Sequence, residues 1–265
     1  MVEHFVSAGN EVIDELCSGL EKDVITTIYG PAGVGKSNFC ILASLETVKQ
    51  EKKVIYIDTD GSFSVERMRQ VAESQGKSTK EILEQMVFYK PVNFQEQKVV
   101  FDKFRSLVNE KTGLIVVDSI AMLYRLEMGK TEDVVGINRE LGRQLSFLAE
   151  IARKQRIPIL VTNQVYSSFE EKDKVNMVGG DILRYSSKCL IEVQSYKNMK
   201  RAILKRHRSF PQNKEVHFII TGDGTKLLGD EKKDEDESKK KMSQDDSIDN
   251  PYNKKDYGDK NYSSS

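Results

Sequence analysis

At 265 residues with 38% apolar side chains, the chain can bury one sizeable core, and no apolar run approaches the twenty or so residues of a membrane span. Lys and Arg balance Asp and Glu at 41 each, so the overall charge signals neither nucleic acid nor an anionic surface. That balance conceals a tail, residues 229–265, with 8 Lys against 11 Asp or Glu, a net −3 that leaves +3 on the residues before it.

The first residues carry Glu3, His4 and Glu11 without the basic start of an export signal, so the expected compartment is the cytoplasm and no membrane partner is expected. Cys17, Cys40 and Cys189 have no C-x-x-C or paired spacing, which argues against metal ligation or a disulfide framework and for small core residues. From Val24 onward, β-branched runs alternate with helical stretches. Strands are predicted over Val24–Tyr29, Lys53–Asp58, Val87–Lys90, Leu114–Asp118 and Ile157–Asn163, and helices over Ser64–Ser74, Phe94–Glu110 and Val134–Lys154. The five runs are near-continuously apolar, as strands covered on both faces are, which predicts an α/β fold with a mostly parallel sheet flanked by helices. Lys188–Gln194, Lys200–His207 and Glu215–Ile220 follow, joined by turns such as Lys197–Met199, and read as a C-terminal antiparallel extension. The expected domain is residues 1–228. The tail, 229–265, lacks the aliphatic residues that repay ordering entropy and is expected to be disordered. Its Tyr252, Tyr257 and Tyr262 sit near Lys254, Lys255 and Lys260, a spacing open to partner docking or base stacking as well as to plain solvated low complexity.

Gly30, Pro31, Ala32, Gly33, Val34, Gly35, Lys36 and Ser37 satisfy G-x-x-x-x-G-K-[ST] between an apolar strand and a helical stretch, the context that gives the motif meaning. Its glycines let backbone N–H groups turn toward phosphates, and the helix that follows adds its positive end. The expected ligands are ATP and Mg²⁺, with Lys36 on the β- and γ-phosphates and the Ser37 hydroxyl on the metal. Asp118 ends an apolar strand in the manner of a Walker B carboxylate and is expected to hold Mg²⁺ directly or through water, the alternative being a turn cap. Asp60 lies in the loop after the second strand, where ligands collect in open α/β sheets, and stands as candidate base for the attacking water; a solvated loop carboxylate is the competing reading. Asp58, still within the strand, is expected to make local hydrogen bonds.

In order and spacing, Gly30–Ser37, Tyr56–Phe63, Leu114–Ser119, Val161–Val165 and Val178–Asp181 resemble the ATPase core of RecA-family recombinases from about Phe5 to Leu228, the archaeal RadB paralogues most of all. As in that group, Val6–Gly9 leads almost directly into the core, and residues 206–211 look like its Lys-His-Arg-Ser-x-Pro element with Arg206 in place of Lys. The resemblance implies a RecA-like fold and makes Gln164 a sensor of the γ-phosphate. It makes Arg206 and Arg208 residues that reach the nucleotide of a neighbouring subunit, with self-association as the consequence; a solvated basic strand is the alternative. DNA repair and homologous recombination follow as the expected role, with DNA and the main recombinase as partners. Asp60 stands where active recombinases carry Glu, one methylene short of the water, so slow hydrolysis is expected. Residues 165–178 hold Glu170, Glu171 and Asp173 against Lys172 and Lys174, which predicts weak DNA contact there. Arg125, Lys130 and the group Lys197, Lys200, Arg201 and Lys205 are the better-placed contacts. Phe5–Ala8 spells a Phe-x-x-Ala docking pattern but adjoins the core, so packing within the chain is expected. A KaiC-like regulatory ATPase acting on proteins, and less so a helicase-type motor, are the rival readings.

Overall fold

The structure, a computed structural model, describes residues 4–130, 132–167 and 175–229. The expected disordered tail and the acidic residues 170, 171 and 173 lie outside the described residues.

The chain begins with a short strand, β1 (Phe5–Val6), and a helix, α1 (Glu11–Cys17), whose N-terminus is capped by the Asn10 side chain on Ile13 N–H. Strand β2 (Leu20–Glu21) returns antiparallel to β1. Then come β3 (Ile25–Gly30), α2 (Lys36–Lys49), β4 (Lys53–Asp58), α3 (Val65–Ser74), α4 (Thr79–Glu84), β5 (Met86–Tyr89) and α5 (Phe94–Phe104). Strand β6 (Thr112–Asp118), α6 (Met122–Met128), α7 (Val134–Gln155), β7 (Ile159–Ser167), β8 (Val175–Met177) and α8 (Gly180–Ser186) follow, and β9 (Cys189–Tyr196), β10 (Met199–Arg206), β11 (Glu215–Thr221) and β12 (Gly224–Leu228) complete the order.

Among the described residues the main sheet has 10 strands, in the order β12-β11-β10-β9-β3-β7-β6-β4-β5, with β8 paired to β7. Strands β5, β4, β6, β7, β3 and β9 run parallel, and β10, β11 and β12 add an antiparallel meander. Side chains alternate between two cores. Ile28, Val54, Tyr56, Leu114, Val116 and Leu160 face Phe39, Leu42 and Val71 of α2 and α3, while Ile55, Ile57, Ile115, Val117 and Val161 face Phe101, Leu141, Leu145 and Leu148 of α5 and α7. This two-sided burial explains the unbroken apolar runs. No helix among the described residues is long and apolar enough to cross a membrane.

Three boundaries depart from the sequence reading. Helix α5 stops at Phe104 and passes into a 3₁₀ turn at Arg105–Leu107, because Asn109 then closes a turn by accepting Lys111 N–H at 2.9 Å. Strand β7 begins at Ile159 because Pro158 has no N–H to contribute. It also continues past Asn163 to Ser167 and folds back on β8. Helices α1, α4, α6 and α8, each of 6 or 7 residues, carry too few turns for a periodic signal.

Candidate nucleotide site

Register brings the motif residues together. Gly30 pairs with Gln164 across β3 and β7, and Asp58 with Asp118 across β4 and β6, so all four stand at the carboxyl ends of neighbouring parallel strands. Chain order departs from spatial order here, since β3 and β4 are separated by β7 and β6. The carboxyl edge of such a sheet is where open α/β folds bind ligands.

The loop from Gly30 to Gly35 crosses from β3 to α2 with Gly33 at φ 75° and Gly35 at φ 100°, backbone states that a side chain resists. A Cβ on Gly33 would meet nothing within 4 Å, so open space lies beside the loop there. Gly30 is the opposite case, since a Cβ there would stand 2.1 Å from the Val193 carbonyl oxygen. Val34 is buried and pins the loop to the core, while Pro31, Ala32 and Gly33 are exposed. Lys36 is buried, and its Nζ donates to the Gly30 carbonyl at 3.0 Å and the Pro31 carbonyl at 2.7 Å. Burial holds its pKa below the usual lysine value, opposed by the nearby charges of Asp118 and Asp60.

A chain of hydroxyls joins the loop to Asp118. Ser37 Oγ donates to Ser62 Oγ at 2.9 Å, and Ser62 Oγ donates to Asp118 Oδ2 at 2.8 Å. Tyr56 donates to the same Oδ2 at 3.0 Å, and the Thr162 hydroxyl donates to Oδ1. Asp118 is buried and the Asp118–Ser119 peptide is cis. Asp58 accepts Ser62 N–H at 3.0 Å and Phe63 N–H at 3.4 Å, the local hydrogen bonding expected of it, and it thereby shapes the loop that carries Ser62. Asp60 is exposed, accepts Ser62 N–H at 3.1 Å, and receives Gln164 Nε2 at 3.5 Å. Partial desolvation raises its pKa above the ordinary aspartate value, the Ser62 hydrogen bonds oppose this, and the Asp118 charge adds to it.

The residues present fit ATP with Mg²⁺. An open glycine cradle faces the start of a helix, and the Ser37 hydroxyl and Asp118 carboxylate are the hard oxygen donors that Mg²⁺ selects. When bound, the metal supplies charge neutralisation for the β- and γ-phosphates.

Arg206 and Arg208 are not brought to this site. Arg206 donates to the Arg184 carbonyl at 2.6 Å and lines a cleft of ≈ 1090 Å³ between α8 and the β9–β10 hairpin. Arg208 pairs with the buried Glu21 at 2.6 Å. Of the basic group at β9–β10, Arg201 donates to Gln194 at 2.6 Å and stands 3.7 Å from Glu215, and Lys205 stands 3.7 Å from Glu192. Lys200 instead reaches the Gly33 carbonyl at 3.5 Å, so the hairpin leans on the phosphate loop. Phe5 stacks on His207 at 6.0 Å and packs edge-on to Phe210, within its own chain.

Sequence reasoning missed the Tyr56 and Thr162 hydroxyls on Asp118, and also Ser62 and Arg67. Ser62 had the signal of a hydroxyl two positions past Asp60. Arg67 had none: it donates to Asn38 at 2.7 Å and to the Gly222 and Gly224 carbonyls at 3.0 and 3.1 Å, tying α2 and α3 to the β11–β12 turn through contacts 155 residues or more away in sequence.

A phosphate loop between β3 and α2, a Walker B carboxylate on β6 and a glutamine ending the regular part of β7 define a RecA-like P-loop ATPase core. Residues 3–227 match the Rad51 family. The DNA repair and recombination protein RadB of Methanococcus maripaludis (strain C7 / ATCC BAA-1331) is 38% identical over 219 residues, covering 82% of this chain and 98% of that protein. The protein of the same name from Methanobrevibacter smithii is 36% identical over 228 residues, covering 83% and 95%. Among solved structures, the crystal structure of the RadB recombinase superposes with a TM-score of 0.74 at 35% identity, over 85% of this chain and all of that one. The chain belongs to the Rad51 family.

Proposed function

We propose that this chain is an ATP- and Mg²⁺-binding switch that hydrolyses slowly and acts in the cytoplasm on DNA, on the main recombinase, or on both. Its relatives make it a DNA repair and recombination protein of the RecA-like class. The observation that carries the switch reading is the pairing of Asp60 with Gln164 at 3.5 Å, beside a linked Ser37, Ser62 and Asp118. Hydrolysis needs a carboxylate on the attacking water, and an aspartate reaches one methylene less far than a glutamate. Gln164 begins the hairpin of β7 and β8, and Val178 N–H donates to its carbonyl at 3.3 Å, so a change at the γ-phosphate has a direct path into that hairpin.

A second reading, a regulatory ATPase that acts on protein partners, draws on the β9–β10 hairpin, where Arg201 and Lys205 already face Glu215 and Glu192. Single-stranded DNA binding by fluorescence anisotropy across a salt series, with and without ATP–Mg²⁺, separates the two. Salt-sensitive binding that responds to ATP in the wild type and not in Lys36→Ala supports a DNA-acting protein. Absence of binding near physiological salt transfers the role to protein partners.

A further inference from the structure

Away from the phosphate loop, the first turn of sheet and helix packs against the end of β10 around a small group of buried polar atoms. The thiols of Cys17, at the end of α1, and Cys189, at the start of β9, lie with a ring nitrogen of His207 within 4.8 Å of one another, and all three residues are buried. Glu21 on β2, also buried, lies outside that group but beside the histidine: its Oε2 is 3.6 Å from His207 Nε2. Both of those atoms are sealed from solvent without a hydrogen-bond partner.

We propose that Cys17, Cys189 and His207 bind a divalent metal ion, Zn²⁺ by preference, with Glu21, beside the histidine, moving in as the fourth ligand. A separation of 3.6 Å is too long for a hydrogen bond. It is an ordinary edge of a tetrahedral metal centre, whose edges run about 3.3–3.8 Å for bonds of about 2.0–2.3 Å. Two sulfurs, one imidazole and one carboxylate form the donor set that selects Zn²⁺ over hard cations. Charge also closes. The two thiols lose their protons to solvent as the ion enters, and two thiolates with the Glu21 carboxylate are matched by the ion and by Arg208, 2.6 Å from the other Glu21 oxygen. Four protein donors leave no open position, so the site is structural. Binding through Nε2 moves the ring proton to Nδ1 and gives up the bond from Ser209 N–H to Nδ1 at 3.0 Å, and loss of the Cys17 thiol proton gives up its weak 3.4 Å bonds to the Ile13 and Gly19 carbonyls, against the bonds made to metal. The cysteine spacing in sequence concealed this group, because α1, β2, β9 and β10 meet only in the fold. A metal there ties the N-terminal segment to the strand end that carries Arg206 and Arg208.

The test is refolding of the reduced, metal-free full chain in Co²⁺, followed by optical titration. Expected are one equivalent of Co²⁺ bound, intense sulfur-to-cobalt absorption in the near ultraviolet, visible bands of a tetrahedral ion, and their loss on adding Zn²⁺. Cys17→Ala and Cys189→Ala should each cut the sulfur absorption by about half or more, and Cys40→Ala, a buried thiol elsewhere in the core, should keep it whole. Absence of these bands in wild type that is folded by circular dichroism, with all three thiols titrating as free, overturns the proposal. Bands undiminished in both Cys17→Ala and Cys189→Ala overturn it equally.

Discussion

If Asp60 is the base of the function proposed above, its reach sets the rate of hydrolysis. Its carboxyl already touches Gln164, so Asp60→Glu extends the acid toward solvent and the water without disturbing the core. We expect turnover to rise by at least about tenfold, within the hundredfold or so that a 1 Å misplacement costs, and Asp60→Asn to lower it; steady-state phosphate release measures both. A base works only when ionised. Since desolvation raises the folded pKa of Asp60, activity should be lost as pH falls through a midpoint above that of an ordinary aspartate, and Asp60→Asn should lack that acid limb. A pH–rate profile with the limb at the ordinary value removes the general-base role. A different residue carries stability. Arg208 is the cation on the buried Glu21, and Arg208→Ala strands that charge at a cost of about 1–3 kcal/mol, discounted because the arginine is half exposed; a urea midpoint unchanged from wild type would contradict this. The placement of the Gly30–Ser37 loop, Asp118 and Gln164 at one sheet edge was legible because each combines a residue type with a strand end. The Cys17–Cys189–His207 group and Arg67 were not, since their partners come from segments whose juxtaposition only the sheet order fixes.

Among the elements, the link between β3 and α2 shows how two glycines in one loop do different work. At Gly30 a methyl group would be driven into the Val193 carbonyl of β9, backbone inside a ten-stranded sheet that has nowhere to move. Gly30→Ala should therefore destabilise the whole domain by roughly 1–3 kcal/mol and lose nucleotide binding with it. At Gly33 the same methyl meets open space, so the cost is the left-handed φ alone, about 1 kcal/mol. Gly33→Ala should stay folded in thermal melts and bind ATP more weakly than wild type, because the loop conformation that turns its N–H groups toward phosphate then carries strain. Equal losses of stability in the two variants would sink this distinction. The parallel strands were readable because burial on both faces leaves an unmistakable apolar run, and α7 because Leu141, Leu145, Leu148 and Ala152 repeat at helical spacing along one buried face. Helices of 6 or 7 residues gave no such repeat, and the hairpin of β7 and β8 depends on a pairing that periodicity does not encode.

For the whole molecule, nucleotide binding and stability are one linked equilibrium, which assembly joins if a neighbouring copy touches the nucleotide. A ligand at about 100 times its dissociation constant stabilises the folded state by about 2.7 kcal/mol, which for a domain of this size raises the melting temperature by roughly 5–10 °C. Lys36→Ala should abolish the shift produced by ATP–Mg²⁺, since Lys36 is the buried cation of the loop, while its own melting temperature without nucleotide stays close to wild type or falls modestly with the loss of two bonds to the Gly30 and Pro31 carbonyls. The harder question is whether Arg206 serves another copy of the chain. Among the described residues its side chain hydrogen-bonds only to the Arg184 carbonyl, and it stands beside an open cleft. If it completes a neighbour's site, the shift in wild type must grow with protein concentration, because each bound nucleotide is then held by two subunits. Arg206→Ala should keep a shift set by its own loop and lose the dependence on concentration. A shift that is independent of concentration in wild type, or unaltered in both size and concentration dependence by Arg206→Ala, would assign Arg206 to the solvated face of β10 and leave ATP acting within single molecules.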